Sequence, residues 1–381
     1  MPTKKSPCVT PSTSSKSTTK TGKISTYNPA FQQNLIDHGI YPNGYQYLDD
    51  RVSVRPDNWV EIQEMIIQPR LSLSSSQFSD GAFIEFIRET DRALTEKTVL
   101  RKPLSTLVGN ADIPSQDDLP FGNLAPLTDG TIANAKPDYY EGARPEQLDR
   151  RIRNQLGPYV VPSTNHSAPI VPTFFTQGKG PNGSRAVAKR QSCYEGAMGA
   201  RAIQRLQSYE RPEPVYDNNA YTITSTFDGE HLHMYATHST QPTNPEDPPE
   251  YHMNQLRSFA MTDTAESFRQ GATAYRNGRD WAKKKRDEFI EAANGRVTSL
   301  PQNMSFESSD YSEPSTSTNR AAALESDTSA NKFTLDHETI TRRSSKRPKG
   351  GQPERNDREY RSADATDLSG EGDSQNIDRQ R

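Results

Sequence analysis

The chain has 381 residues, 31% of them hydrophobic. Even with its 22 glycines added it stays well below the roughly 45–50% apolar share of a globular average, so part of it packs into no core. Two to three domains fit this length. A mean hydropathy of −0.93 and the lack of any unbroken apolar run of about 18 residues argue against a membrane span. Cys8 and Cys193 are too few for a disulfide scaffold or a four-cysteine zinc site. The first 26 residues hold no apolar secretory core, so the expectation is a soluble intracellular protein. A net charge of −3 favours no class of partner by itself.

Residues 1–26 carry five lysines, thirteen Ser or Thr and no acid, and read as a disordered basic arm. Residues 27–128 read as a helical part leading into the core. Pro29 to Asp37 predicts a short helix with Asn28 as its cap and Gly39 at its end. A second runs from Trp59 to Ile67 and stops before Pro69. A third starts near Ser79 with Phe83, Ile84, Ile87 and Leu94 as its apolar stripe and Glu85 on the other side. Residues 101–128, rich in Pro, Gly and Asp, read as an extended loop.

Residues 129–300 carry the sheet. Thr131 to Ala135 is a strand candidate ending at Lys136-Pro137-Asp138, followed by a helix from Glu146 to Leu156 that Gly157-Pro158 stops. Ile170 to Gln177 is the next strand, and Ser184 caps a long helix to Tyr209. Tyr221–Phe227 and Leu232–Thr237 form a hairpin around Asp228-Gly229. Asn254 to Asn294 reads as helix throughout, with Leu256, Phe259, Phe268, Ala272, Tyr275, Trp281 and Phe289 on its buried face. A long helix between strands makes part of the sheet parallel, so the fold class is α/β with a mixed sheet flanked by helices. Residues 301–381 hold 15 acidic and 12 basic residues with few aliphatics, and read as a disordered tail. Its cluster Arg342, Arg343, Lys346, Arg347 and Lys349 resembles a nuclear import signal, which favours the nucleus; a solvated charge run is the alternative.

One constellation could carry chemistry. Gln177 and Lys179, two apart at a strand end, project to one face, and Gly178 and Gly180 leave room for a large substrate beside them. Asp138 follows Pro137 at the end of the preceding strand candidate. Two oxygen ligands and an ammonium suit one Mg²⁺, which takes few protein ligands and fills its octahedron with water and phosphate oxygen. Each residue also has a plainer reading: Asp138 as a turn former, Gln177 and Lys179 as a solvated strand edge, Glu85 as the wet side of a helix.

Pro137-Asp138 followed by Gln177-Gly178-Lys179 resembles the PD-(D/E)xK nuclease superfamily. The wider segments Lys136–Pro145, Phe174–Pro181, Ala188–Ala197 and Tyr216–Tyr221 resemble a group of uncharacterised fungal proteins of that type. The resemblance implies a restriction-endonuclease-like fold and Mg²⁺-dependent hydrolysis of nucleic acid, DNA more than RNA. Asp138 would be a metal ligand and Lys179 the catalytic lysine. The second acidic ligand falls on Gln177, which keeps a coordinating carbonyl and lacks the charge. Glu85 matches a helix position that often supplies a further acid, and Gln191 with Tyr194 resembles, one residue too short, a Gln/Tyr motif of RecB-like nucleases. Lys189 and Arg190 beside it would touch nucleic acid. The alternative is a catalytically degenerate nuclease fold that binds nucleic acid or a protein; a scaffold recruiting through its tails is a third reading.

Other motifs carry less. His231, His233 and His238 lie along one strand without the Cys or carboxylate that would complete a zinc site, and read as half-exposed polar residues. Lys283-Lys284-Lys285-Arg286 reads as a phosphate-contacting run, an import signal or the wet side of a packed helix, and Cys193 reads as a helix-packing residue.

Overall fold

A computed structural model describes residues 22–47, 54–244 and 246–299. The basic cluster around Arg342–Lys349, Cys8, and most of the two expected tails lie outside them.

Helices α1 (Ala30–Asp37), α2 (Trp59–Ile66), α3 (Asp80–Asp91), α4 (Glu96–Arg101) and α5 (Pro103–Val108) precede the central strands, with short β1 (Ile40–Tyr41) and β2 (Ser115–Asp117) among them. Then come β3 (Tyr139–Ala143), α6 (Arg150–Val160), β4 (Ile170–Gly178), α7 (Arg185–Ser208), β5 (Thr222–Phe227), β6 (His231–Thr240), β7 (Glu250–Ala260) and α8 (Ala265–Ser299). The described strands form one mixed sheet in the order β1-β7-β6-β5-β4-β3-β2. β4 runs parallel to β5, with α7 as the crossover, and β1 runs parallel to β7; the other pairs are antiparallel. The α/β class, with a mixed sheet flanked by helices, is the one composition and periodicity suggested.

Strand alternation divides the core. Phe174 and Ile223 turn to one face, where Ile62, Phe86, Leu107, Phe268 and Tyr275 from α2, α3, α5 and α8 cover them. Phe175 and Tyr140 turn to the other, against Phe31 of α1 and Cys193, Tyr194 and Met198 of α7. A third cluster closes one end, joining Ile152 and Val160 of α6 to Ile203 and Leu206 of α7 and Ile290 of α8. Every residue of β5 is buried, because helices cover both its faces; the Thr side of its alternation is not a wet side.

α7 lies close on the sheet because its glycines let it. A Cβ on Gly199 would stand 2.6 Å from the Thr222 methyl and 2.9 Å from the Pro172 carbonyl oxygen. Gly199→Val is expected to cost at least ~2 kcal/mol by overpacking. A fall in the urea midpoint without a change in slope would register it; an unchanged midpoint would show the helix free to lift.

Several elements differ from the sequence reading, each for a local reason. The stretch 101–128 is not one loop. Thr95 and Thr98 cap α4 reciprocally, and Pro103 takes the first turn of α5, where its missing N–H costs nothing. Residues 131–135 form only a bridge, Ile132 to Ile24, and the strand begins after Asp138 instead of ending before it. That bridge also ties down residue 24 of the expected disordered arm, with Ile24 N–H donating to Thr131 O at 2.8 Å. α6 starts after Asp149, whose carboxylate accepts from Arg151 N–H, and continues through Pro158 because Val160 anchors its last turn in the third cluster. α3 buries Phe86 beside Phe83, leaving Ile84 and Leu94 exposed; Phe86 sits 4.4 Å from the Phe268 ring, centroid to centroid.

The largest difference is at residues 250–260. They form β7, which pairs with β6 over ten positions, and the last helix starts only at Ala265, where the Thr264 hydroxyl accepts from Ser267 N–H. On this helix Lys283, Lys284 and Lys285 face carboxylates of Asp287, Glu288 and Glu61, the wet side of a packed helix, while Arg286 is buried and donates to Thr173. Cys193 is a buried packing residue whose thiol burial pushes up to about 12. His231 and His233 are half-buried as expected, but His238 is fully buried, and burial lowers its pKa to about 3.

Candidate functional site

The antiparallel register of β3 on β4 sets Tyr139 opposite Thr176, which brings Asp138 beside the end of β4. There the Gly178 N–H donates to Asp138 Oδ2 at 2.9 Å. Lys179 continues the line of β4, its N–H donating to Phe227 O at 2.9 Å. Its ammonium turns inward, 3.5 Å from Asp138 Oδ2 and 3.1 Å from Glu96 Oε2, and donates to its neighbour Gly178 O at 2.6 Å. Lys179 is 4% exposed and the Asp138 side chain 11%, so this is a buried ion pair rather than a solvated strand edge. Desolvation raises the Asp138 carboxyl to about 6, with Lys179 opposing and Glu96 adding to the rise.

Gln177 lies on the α7 side of β4 and is fully buried. Its amide donates to Glu195 Oε1 at 2.5 Å and more weakly to Lys136 O at 3.4 Å. Glu195, at the middle of α7, is buried without a cation in contact among the described residues. Burial, reinforced by the Asp138 charge, holds its carboxyl well above the usual range. Gln177 Oε1 and Glu195 Oε2 are both buried and meet no donor. An unsatisfied buried polar oxygen is costly, so these two mark the most polar unpaired spot of the cluster.

Asp138 and Lys179 thus pair directly, and Gln177 is linked to them through Glu195, which feels the charge of both. Glu85 does not join them. It is half exposed on α3 and pairs with Arg88, its near neighbour on the same helix. The acid delivered from the helical part is Glu96, the first residue of α4, and the acid delivered from the helix after the lysine is Glu195. Neither was singled out from sequence. A signal existed for Glu195, a lone carboxylate among Ser192, Cys193, Gly196 and Ala197 on a helix too small-sided to face water. Glu96 gave none, since an acid at a helix start is ordinary capping chemistry.

The space beside Gly178 and Gly180 is filled rather than open. A Cβ on Gly178 would meet Leu100 at 2.5 Å, and one on Gly180 would meet the Glu96 backbone nitrogen at 2.7 Å. The glycines admit α4, which closes over Lys179. Beside this lid lies a cleft of about 640 Å³, lined by Glu96, Lys97, Leu100, Arg101, Leu104 and Val108 on one side and Asp117, Asp118, Asp138 and Tyr139 on the other.

Gln191 sits one helical turn before Glu195 on the same face of α7, and its own Oε1 is buried without a donor. Lys189 and Arg190 point elsewhere: they donate to the carbonyls of Asn43 and Thr26, tying the N-terminal segment to α7. Among the described residues, no group of three or more His, Cys, Asp or Glu side chains is arranged to hold a metal. Any cation here would rely on Asp138, Glu195 and the Gln177 carbonyl.

The family DUF7924, described as a domain of unknown function, matches residues 87–293, from the end of α3 to the last turns of α8. No curated protein and no solved structure matches the chain. Among the described residues no helix is long and apolar enough to cross a membrane.

Proposed function

Since the chain belongs to the DUF7924 family, whose description assigns no activity, we propose its function from the cluster itself: a nuclease-like phosphodiesterase of the PD-(D/E)xK kind, with nucleic acid, DNA before RNA, as substrate. What supports this reading is the Asp138–Lys179 ion pair at adjacent strand ends, with the buried Gln177–Glu195 pair close enough for Glu195 to feel both charges.

The donor set suits a hard divalent cation such as Mg²⁺, because all its members are oxygens and two are unsatisfied. Asp138, Glu195 and Gln177 would hold it, and when bound it would lower the pKa of a water and polarise the phosphodiester. The rest of the chemistry falls to side chains. The Gly178 N–H fixes the Asp138 rotamer. Lys179 offers a positive charge for the oxyanion that builds as a phosphodiester is attacked. Glu195, protonated while buried without a cation, would give up that proton on binding one and supply the second negative charge that Gln177 lacks. Glu96 replaces Glu85 as the further acid of the site. The basic cluster at Arg342–Lys349 would direct such a protein to the nucleus.

A test is nicking of supercoiled DNA in Mg²⁺ and in chelator. Wild type is expected to nick only with metal, and Glu195→Gln to lose roughly 10–100-fold. Metal-independent nicking, or equal rates in the two proteins, would overturn the assignment.

A second reading has its own support. Gln177 presents its amide nitrogen, not its oxygen, to Glu195, and three acceptors already occupy Lys179. A protein that binds nucleic acid through this fold without cutting it would show salt-sensitive binding in chelator and no nicking with any divalent metal.

A further inference from the structure

The way into the cluster limits what can reach it. Lys179 and Asp138 lie beneath α4, whose Leu100 and Glu96 backbone occupy the space over Gly178 and Gly180. The 640 Å³ cleft shares Glu96 and Asp138 with the cluster, and its size encloses a ligand of about one or two nucleotides. Its walls differ in sign. On the α4 side, Glu96 is paired with Lys179, while Lys97 and Arg101 are exposed and have no carboxylate partner among the described residues. On the β2 side stand Asp117 and Asp118, the latter 2.6 Å from Lys136. Between them Leu104, Val108 and the Tyr139 ring make an apolar floor.

Given the nuclease-like reading on which it rests, we infer that the cleft takes a single, splayed strand and not an intact duplex, with Lys97 and Arg101 gripping the phosphate beside the one at Lys179. One cationic wall serves one backbone, and the acidic wall repels a second. The floor accepts a base that has left its stack, as single-strand grooves do. A paired duplex keeps its bases inside and its phosphates on a stiff outer surface, so none of its phosphates reaches a lysine buried under a helix unless the strand leaves the stack.

The experiment is fluorescence anisotropy of the full chain in chelator, with a labelled single-stranded oligonucleotide and the blunt duplex of the same sequence. The single strand is expected to bind at least about 10-fold more tightly. Lys97→Ala/Arg101→Ala should weaken it by a similar factor and flatten its salt dependence by about two phosphate contacts. Lys102→Ala, which removes a lysine paired with Glu89 outside the cleft, should leave binding unchanged and shows that any loss is local. Equal or tighter duplex binding, or an unaffected double variant with unaltered circular dichroism, overturns the inference. Adding Mg²⁺ to the same oligonucleotides separates it from the reading beneath it. Single-strand preference without cleavage upholds the cleft and removes the nuclease; duplex cleavage without that preference does the reverse.

Discussion

Asp138→Asn is expected to abolish metal-dependent cleavage, by on the order of 10²–10³-fold, and at the same time to make the protein more stable at pH 8. The two effects have one origin. Asp138 has its carboxyl raised to about 6 by burial, against 3.8 for the free side chain. In the pH range between these values the folded state holds a proton that the unfolded state has released, so stability falls as pH rises. The shift corresponds to about 3 kcal/mol, present below 3.8 and gone above 6. Asparagine keeps an oxygen for the Gly178 N–H and carries no charge to desolvate. Thermal melts of both proteins in chelator should show the variant ahead at pH 8, with the gap closing toward pH 4. Taking the difference between the proteins cancels other titrating groups, including His238, whose lowered pKa acts oppositely by weakening the fold as pH drops below 6.5. Undiminished cleavage, or a gap that widens in acid, would remove Asp138 from the proposed role.

Gln177→Glu is the second large effect, and its sign depends on the metal. Under the proposed function, placing there the acid that the PD-(D/E)xK resemblance implies should preserve or raise cleavage at saturating Mg²⁺. Without metal, however, the new carboxylate would lie where the amide now donates to Glu195 at 2.5 Å. Two buried carboxyls at that distance cannot both ionise; they share a proton and titrate as a pair. The variant should therefore melt several degrees below wild type in chelator at pH 8, by about 2 kcal/mol or more, and recover on acidification. Saturating Mg²⁺ should raise its melting temperature by more than it raises that of wild type, because ligands that bind only the folded state stabilise it. A variant indifferent to Mg²⁺ in both melting and cleavage would mean that the orphaned oxygens hold water rather than a cation.

Much of this fold was readable in advance where periodicity and punctuation agreed. The turn at Asp228-Gly229, the Ser184 cap of α7 and the apolar run Ile170–Gln177 each predicted an element in the right place. What escaped were cases in which tertiary contact overrules local pattern. Residues 254–260 carry Leu256 and Phe259 at a spacing that suits a helix, but ten cross-strand positions with β6 hold them extended. Pro103 and Pro158 look like breakers, yet one opens a helix and the other sits inside one. Gln177 lies on the strand expected for it, whereas Asp138 was expected at the end of a strand that does not form and stands instead just before β3, whose register with β4 brings it to Gly178. Only to that extent was the cluster legible. Its helical acids were not, because which turn of α4 or α7 faces a given strand end depends on glycine contacts that no spacing encodes, such as Gly180 against the Glu96 nitrogen.

The strand β7, second from one edge of the sheet, has a further consequence. Its side away from β6 pairs with β1 and is met beyond it by residues between 43 and 63. Gly39 O accepts from Tyr251 N–H, Asn43 Oδ1 from Gln255 N–H, Leu256 O takes a bond from the Gln63 amide, and the Asn254 amide reaches Val54 O. Trimming the polypeptide to the family-matched span 87–293 would strip all four partners at once and leave an eleven-residue ribbon with bare hydrogen-bonding groups. Such a fragment would be prone to stack on its own copies. The segment ahead of the matched span thus covers the β7 backbone that would otherwise be an open edge of the sheet.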